Sequence, residues 1–423
     1  MNKLLYTIWL SLACTPGAET FAKLNNRFSS PEDIYNADKE EIAACISSKS
    51  RDYNSLIDKD IARAEKVLTF CISKNVGILT YYDSSYPNSL RNIKNPPVLL
   101  YYRGKNPDFN SDFFVSIVGT RRLTDYGRKN TFSVAADLAL AGATIVSGMA
   151  IGIDSVAHAG ALSEGKTTVA VIGSGIDVCY PAQHKRLAQE IVKSGCVMTE
   201  YAPGTRPEKH NFPLRNRIIS ALSSATLVME GRERSGALIT ARHAKEQGRV
   251  VYAFPGNVGN SNSEASNLLI KNGAKLFTSA DDIVRDFELT SGGKLNPFML
   301  AKSSHRDMGA VLRELEVACV TPSDDIFKAP RFKKAVASVS VSAENTYQSN
   351  HTDVKEAEAD VESRFDKTTH ALYKKIPLDS ECTVDELVDD VHSLRSVMQG
   401  LLKLEVAKLV TILPGDRVRR NLK

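Results

Sequence analysis

The chain has little of what holds small secreted folds together. Only seven of its 423 residues are cysteine, an odd count with no Cys-x-x-Cys pair and no Cys/His cluster. That argues against a disulfide framework and against a structural metal site, and it points to free thiols in a reducing cytoplasm. No run approaches the ~20 apolar residues that a membrane-spanning helix requires. A strong charge imbalance is missing too. The net charge of +5 permits an acidic partner such as nucleic acid, but any basic surface must be local. The GxGxxG dinucleotide fingerprint is absent, since Gly173-Ser-Gly175 lacks its third glycine, and no GxxxxGK[ST] loop opens a helix after a strand. Both absences weigh against NAD binding and ATP hydrolysis.

What is present is a strict alternation of strand and helix from 112 to about 288. Apolar runs at Val115–Val118, Thr144–Val146, Thr168–Ile172, Val197–Thr199, Thr226–Met229, Val250–Phe254 and Lys275–Phe277 read as buried strands. Helical periodicity fills the gaps over Arg128–Leu140, Ser155–Ser163, Ala182–Lys193, Leu214–Leu222, Leu238–Gln247 and Glu264–Lys271. Gly142, Gly165, Gly195, Gly248 and Gly273 stand just past five of these helices, as helix C-caps should. The pattern is that of an α/β, doubly wound, mostly parallel sheet, whose ligands belong at the carboxyl ends of the strands.

Those strand ends carry the unusual residues. Val115-Ser-Ile-Val-Gly-Thr-Arg-Arg122 runs from strand to glycine turn to two guanidinium groups suited to phosphate. Ser147-Gly148 and Gly173-Ser-Gly175 follow the next two strands, and small residues there leave room for a backbone-rich, phosphate-sized pocket. Arg206-Pro-Glu-Lys-His-Asn-Phe-Pro-Leu-Arg-Asn-Arg-Ile-Ile219 concentrates fixed positive charge around one aromatic. With Pro213 starting a helix, Arg215, Asn216 and Arg217 fall in its first turn, a position that needs an anion for compensation. Phe212, held extended by Pro213, projects among Lys209, Arg215 and Arg217 and suits base stacking.

The flanks differ. Residues 1–75 read as short helices, with Leu5, Ile8, Trp9 and Leu12 on one face of the first, so a packing helix is expected here and not a leader. Pro16-Gly17 between two helices resembles a helix–hairpin–helix turn, but Glu19 beside it would repel a phosphate, and a helical packing domain is expected. Residues 76–290 form the sheet domain. Residues 291–365, opened by Ser291-Gly-Gly-Lys294, read as a mostly disordered linker with a transient helix near Met308–Val317. Residues 366–423 read as three helices, Thr368–Lys375, Val384–Asp390 and Leu394–Leu404, and a hairpin of Lys408–Leu413 with Arg417–Arg420, which is a winged helix. Its third helix carries Arg395, Gln399 and Lys403. Asp385, Glu386, Asp389 and Asp390 on its second helix favour protein docking over DNA reading.

Six strings together resemble the bacterial DNA-processing DprA/Smf family: Gly119-Thr-Arg121, Ser147-Gly-Met-Ala-Ile-Gly-Ile-Asp154, Gly173-Ser-Gly-Ile-Asp-Val-Cys-Tyr-Pro181, Phe212-Pro-Leu-Arg-Asn-Arg-Ile-Ile219, Ser235-Gly-Ala-Leu-Ile-Thr-Ala241 and Ala253-Phe-Pro-Gly256. The resemblance implies an extended Rossmann-like domain that binds single-stranded DNA, dimerises, and loads a RecA-type recombinase during uptake of transforming DNA, with no catalytic step and no cofactor. It also implies a phosphate pocket of Gly119, Thr120, Arg121, Ser147, Gly148, Gly173, Ser174 and Gly175, with a wall of Lys209, Phe212, Arg215 and Arg217. Thr120 replaces the usual serine and keeps the hydroxyl. Ala265 stands where glycine is common. The alternative is a nucleotide-processing enzyme of the phosphoribohydrolase kind, which needs a carboxylate base. Asp154, Asp177 and Glu230 at strand ends are its candidates, although helix capping and loop bracing suit them better, and the Pro-Gly-Gly-x-Gly-Thr string of that class is absent.

Overall fold

In the computed structural model, residues 2–233, 235–302 and 306–318 are described, together with those from 366 to 420 except 378–381, 388–396, 398, 399, 402, 406, 408 and 414–416. The chain divides into two units, Met1–Arg331 and Phe332–Lys423.

The first unit opens with six helices: α1 Asn2–Ala13, α2 Thr20–Asn25, α3 Pro31–Asn36, α4 Lys39–Ala43, α5 Arg51–Asp58 and α6 Ile61–Ser73. The starts of α3, α4, α5 and α6 are set by side-chain caps from Ser30, Asp38, Ser50 and Asp60, each accepting a first-turn N–H. An edge hairpin follows, β1 Gly77–Thr80 and β2 Leu99–Gly104, with α7 Asn88–Arg91 between them. The alternating layer comprises β3 Phe113–Val118, α8 Asp125–Leu140, β4 Ala143–Ser147, α9 Ile153–Ser163, β5 Thr168–Val171, α10 Lys185–Ser194, β6 Cys196–Thr199, α11 Asn211–Leu222, β7 Ala225–Val228, α12 Gly236–Glu246, β8 Val250–Ala253, α13 Glu264–Lys271, β9 Lys275–Leu276 and α14 Ala280–Phe287.

These strands form one nine-stranded sheet in the order β1-β2-β6-β5-β4-β3-β7-β8-β9. It is parallel from β6 to β9, and β2 pairs antiparallel with both β1 and β6. Every residue of β3 is buried because helices cover both faces, which is why the strand reads as an unbroken apolar run. The chain winds outward from β3 in both directions, so the strand order reverses between β3 and β7.

The core on one face is continuous from Ile8 and Trp9 of α1 through Tyr101 of β2 to Ile117 of β3, so the helical region shares its core with the sheet. The other face gathers Val118, Val146, Val169, Ile218 and Ala241. The Pro16-Gly17 turn faces inward. The Gly17 carbonyl accepts from Asn95 Nδ2 at 2.7 Å, and a Cβ on Gly17 would come within 3.0 Å of Leu214 on α11.

The glycines stand at the helix ends as expected, and one other expectation needs correction. Four of the five cap glycines have positive φ, but Gly195 has φ −150°, and a Cβ there would lie 2.0 Å from the Thr168 carbonyl, so close approach of two chains is what requires glycine. The residues after 290 do not begin a linker. Leu295, Val311, Leu312 and Leu315 are buried, α15 (Met308–Glu314) packs against α9, and the Ala318 amide donates to His184 Nε2 at 3.1 Å. A few well-spaced apolar side chains are enough to dock a polar-looking segment. The remainder of the expected linker, 319–365, lies outside the described residues.

The second unit holds helices Lys367–Lys375 and Val384–Leu387 and an antiparallel sheet in the order β10-β12-β11, formed by β10 Cys382–Thr383, β11 Val410–Leu413 and β12 Arg417–Arg420. The β10 strand is an addition to the expected hairpin. Leu372, Tyr373, Val397, Leu401 and Val418 share its core. Arg395, Gln399, Asp389 and Asp390 lie outside the described residues. Among the described residues no helix is long and apolar enough to cross a membrane, no group of three or more metal-ligating side chains occurs, and the cysteines are free thiols.

Candidate nucleic-acid interface

A cleft of about 500 Å³ opens at the reversal between β3 and β7, at the carboxyl ends of the strands, where an open parallel sheet presents its ligands. The β3–α8 turn supplies Gly119, Thr120 and Arg121, and Lys209, Phe212 and Asn216 come from α11 and the turn before it. Ser235, Gly236 and Thr240 from the start of α12 close one side, and Tyr180 stands in the loop after β5. The candidates Gly119, Thr120, Arg121, Lys209, Phe212, Arg215 and Asn216 are thus brought to one cavity.

Phe212 belongs to the first turn of α11, not to the loop before it, because the helix begins at Asn211. Pro213 is tolerated there because the first-turn N–H groups have no intrahelical acceptor to lose. The half-buried ring has the Arg121 guanidinium carbon 5.4 Å from its centre and the Tyr180 ring 5.5 Å away at 41°. Arg121 is exposed and neither it nor Lys209 forms an ion pair among the described residues. The cleft therefore offers uncommitted positive charge beside an aromatic face.

The other two arginines behave differently. With α11 starting at Asn211, both Arg215 and Arg217 sit beyond its first turn, and buried protein groups, not a bound anion, compensate them. Arg215 is 3% exposed and donates through Nη1 to the carbonyls of Gly148, at 2.9 Å, and Val171. Burial brings its pKa down to about 10 against the pull of Asp154. Burial also raises the Asp154 carboxyl above the usual range, and Arg215 opposes that rise. Gly148 makes the arrangement possible, since a Cβ there would lie 2.6 Å from both Arg215 Nη2 and Asp154 Oδ2. Arg217 points away from the cleft and pairs with buried Glu200 at 2.6 Å, close to the Gly17 turn.

Ser147, Gly148, Gly173, Ser174 and Gly175 lie buried beneath the cleft instead of lining it. The Ser147 hydroxyl donates to the Ile117 carbonyl at 2.6 Å and that of Ser174 to the Val178 carbonyl at 3.0 Å. The Thr120 amide donates to the Glu230 carbonyl at 2.8 Å, and its hydroxyl accepts from the Arg122 amide at 3.1 Å. That hydroxyl braces the turn. Arg122 is half-buried, and its carbonyl accepts from Asn262 Nδ2 at 2.7 Å.

Each candidate base also has a structural task. Asp154 accepts from the Ala150 amide at 3.4 Å and Asp177 from the Gly204 amide at 2.8 Å. Glu230 accepts from the Thr124 amide at 3.0 Å at the start of α8, and its pKa is raised by burial. Among the described residues lining the cleft, the carboxylate is that of Asp154, which faces Arg215.

A family model described as DNA recombination-mediator protein A matches residues 77–288. The chain belongs to that family. It is 44% identical over 206 residues to the DNA processing protein DprA of Streptococcus pneumoniae, covering 49% of this chain and 72% of that one. It is 34% identical over 242 residues to DprA of Bacillus subtilis, covering 57% and 82%. The protein Smf of Synechocystis is 42% identical over 214 residues, 50% of this chain, which spans 54% of that relative's length. The X-ray structure of S. pneumoniae DprA superposes with a TM-score of 0.59 at 35% identity, covering 68% of this chain and 99% of that one.

The family match includes every cleft residue named above. Tyr180, Ser235, Gly236 and Thr240 were not among the expected site residues, although the DprA/Smf strings already contain them. One false signal can be dismissed. Gly160-Ala-Leu-Ser-Glu-Gly-Lys-Thr167 spells GxxxxGK[ST], but it runs from inside α9 towards β5, helix before strand, the reverse of a phosphate-binding loop. Ala265 is buried with its amide on the Gly231 carbonyl at 2.8 Å, so its methyl is accommodated.

Proposed function

We propose that this protein binds single-stranded DNA in the cleft, without catalysis, protects incoming DNA during natural transformation and loads a RecA-type recombinase onto it in the cytoplasm. The observation that carries the reading is unpaired positive charge, Arg121 and Lys209, next to half-exposed Phe212 at the strand-order reversal. Phosphate attraction plus sequence-tolerant stacking is the combination that single strands require. Asn216 lines the same wall and adds a polar contact, while Arg215 and Arg217 hold α11 in place. A homodimer is part of the reading, because β9 leaves an unpaired sheet edge with Leu276 and, on α13, Leu268 partly exposed. The carboxyl-terminal unit is read as a winged helix that docks protein. Lys403, one of its candidate DNA-facing cations, is engaged with Asp366 at 2.7 Å.

Fluorescence anisotropy with an oligothymidylate and with a duplex of equal length tests the proposal. The single strand should bind more tightly, and Phe212→Ala should weaken binding by about 1–3 kcal/mol with its thermal melt unchanged. Equal affinity for both DNAs, or a Phe212→Ala protein that melts early yet binds normally, would overturn it.

A further inference from the structure

Phe212 is not well placed to serve a base alone. Its ring is only half exposed, the Gly173 backbone lies beneath it so closely that a Cβ there would reach Cδ1 at 3.1 Å, and Arg121 already stands 5.4 Å from its centre. Tyr180 is the open ring. It lines the same cleft, is 42% exposed, and meets Phe212 at 5.5 Å between ring centres. Other tyrosines of this unit are used for packing: Tyr86, Tyr101 and Tyr252 are fully buried, and Tyr201 is buried with its hydroxyl on the Asn211 carbonyl. Tyr126 is comparably exposed, but its hydroxyl is fastened to the Pro255 carbonyl at 3.0 Å.

We propose that Tyr180 is the outer base platform of the cleft and Phe212 its inner continuation, so that the site grips two successive unpaired bases. The inference rests on the reading of the cleft as a single-strand site. The two rings are inclined by 41° with centres 5.5 Å apart. A duplex strand stacks its bases parallel at about 3.4 Å. Bases received by these rings must therefore be unstacked from one another, which a single strand allows at low cost and a duplex resists. Arg121, beside Phe212, is positioned to take a phosphate of the same step, and a guanidinium can grip two of its oxygens. The arrangement gives strand-type specificity without any base-edge hydrogen bond, and every base has a face to offer.

The test uses the full chain and four variants: Tyr180→Leu, which keeps apolar bulk without a ring, Tyr180→Phe, which keeps the ring, Phe212→Ala and Arg121→Ala. Two labelled probes of equal length are titrated, an oligothymidylate and an abasic strand with the same phosphates and no bases. Tyr180→Leu should lose about tenfold in affinity for the oligothymidylate, what one stacked base is worth. It should bind the abasic strand like the wild type, and Tyr180→Phe should stay within about twofold on both. Both Tyr180 variants should melt with the wild type, since Tyr180 is at the surface. Wild-type affinity in Tyr180→Leu alongside a loss in Phe212→Ala would overturn the platform and leave the cleft as the DNA site. If Phe212→Ala and Arg121→Ala also bind like the wild type, the cleft is not the DNA site and both readings fall. An equal loss by Tyr180→Leu on the abasic strand would assign Tyr180 to shaping the loop and overturn the stacking role.

Discussion

The rim of the cleft and its underside use the same residue type for opposite ends. Arg121 at the rim is exposed, unpaired with any carboxylate among the described residues, and free to meet a ligand; Arg215 and Arg217, on α11, are each at most 3% exposed and committed to the protein. Two of the three belong to one basic segment, so local composition does not distinguish them. The surroundings do. A guanidinium taken out of water must be matched there and then by acceptors, and Asp154, Glu200 and two backbone carbonyls are spent on that. A guanidinium left in water needs no partner and keeps its full capacity for phosphate. Positive charge in this protein thus divides into charge that shapes α11 and charge that α11 and its neighbours present.

The contrast can be broken most forcefully at Arg217. Arg217→Ala strands Glu200 in the interior and should cost about 3–5 kcal/mol of stability, read by urea denaturation, while the folded fraction keeps its affinity for single-stranded DNA. A mutant of normal stability and weak binding would move Arg217 to the rim. Arg121→Ala is the opposite case. Its melting temperature should stay put, its affinity should fall by about 1.5–3 kcal/mol, and the slope of log affinity against log salt should shrink by about 0.7, the share of one phosphate on a single strand. An unchanged salt slope would remove Arg121 from the phosphate contact.

The smallest effect concerns a buried base that stays neutral. His158, on α9, has Nδ1 2.7 Å from the Thr168 hydroxyl, which itself donates to the Ile145 carbonyl, so Nδ1 carries the proton, and burial pushes its pKa down to about 3. Its unfolded value lies near 6.5. The unfolded chain therefore binds more protons between these values, and stability that is complete above pH 6.5 drains away as pH falls. At pH 5.5 the loss should be about 1.4 kcal/mol for this group. His158→Gln should show a shallower decline between pH 7 and 5.5 than the wild type, and parallel declines would sink the assignment.

The strands are legible in the sequence because burial on both faces leaves an unmistakable residue pattern, and β3 to β9 lie within two residues of the runs read from it. What sequence could not supply was partnership. Nothing near Arg215 announces Asp154, and nothing near Arg217 announces Glu200, since both pairs are made by tertiary packing. The start of α11 is misleading because Pro213 looks like a first residue but occupies the third position. Tyr180 escapes notice because it sits in an irregular loop with no periodicity to mark a face. The docked stretch 306–318 reads as linker because its few apolar residues are diluted by charge, yet three of them, Val311, Leu312 and Leu315, are buried.

The inward-facing Gly17 turn bears on ancestry as well as on packing. The match to the family model begins at Gly77, a border that by itself would make everything before it a separable attachment. The shared core and the seat of that turn on α11 say that it is not. A chain cut at Gly77 would bare Leu99 and Tyr101 and leave Glu200 and Arg217 facing water across the space the turn had filled. Where the family model begins and where this polypeptide could be divided without harm are, in this protein, two different borders.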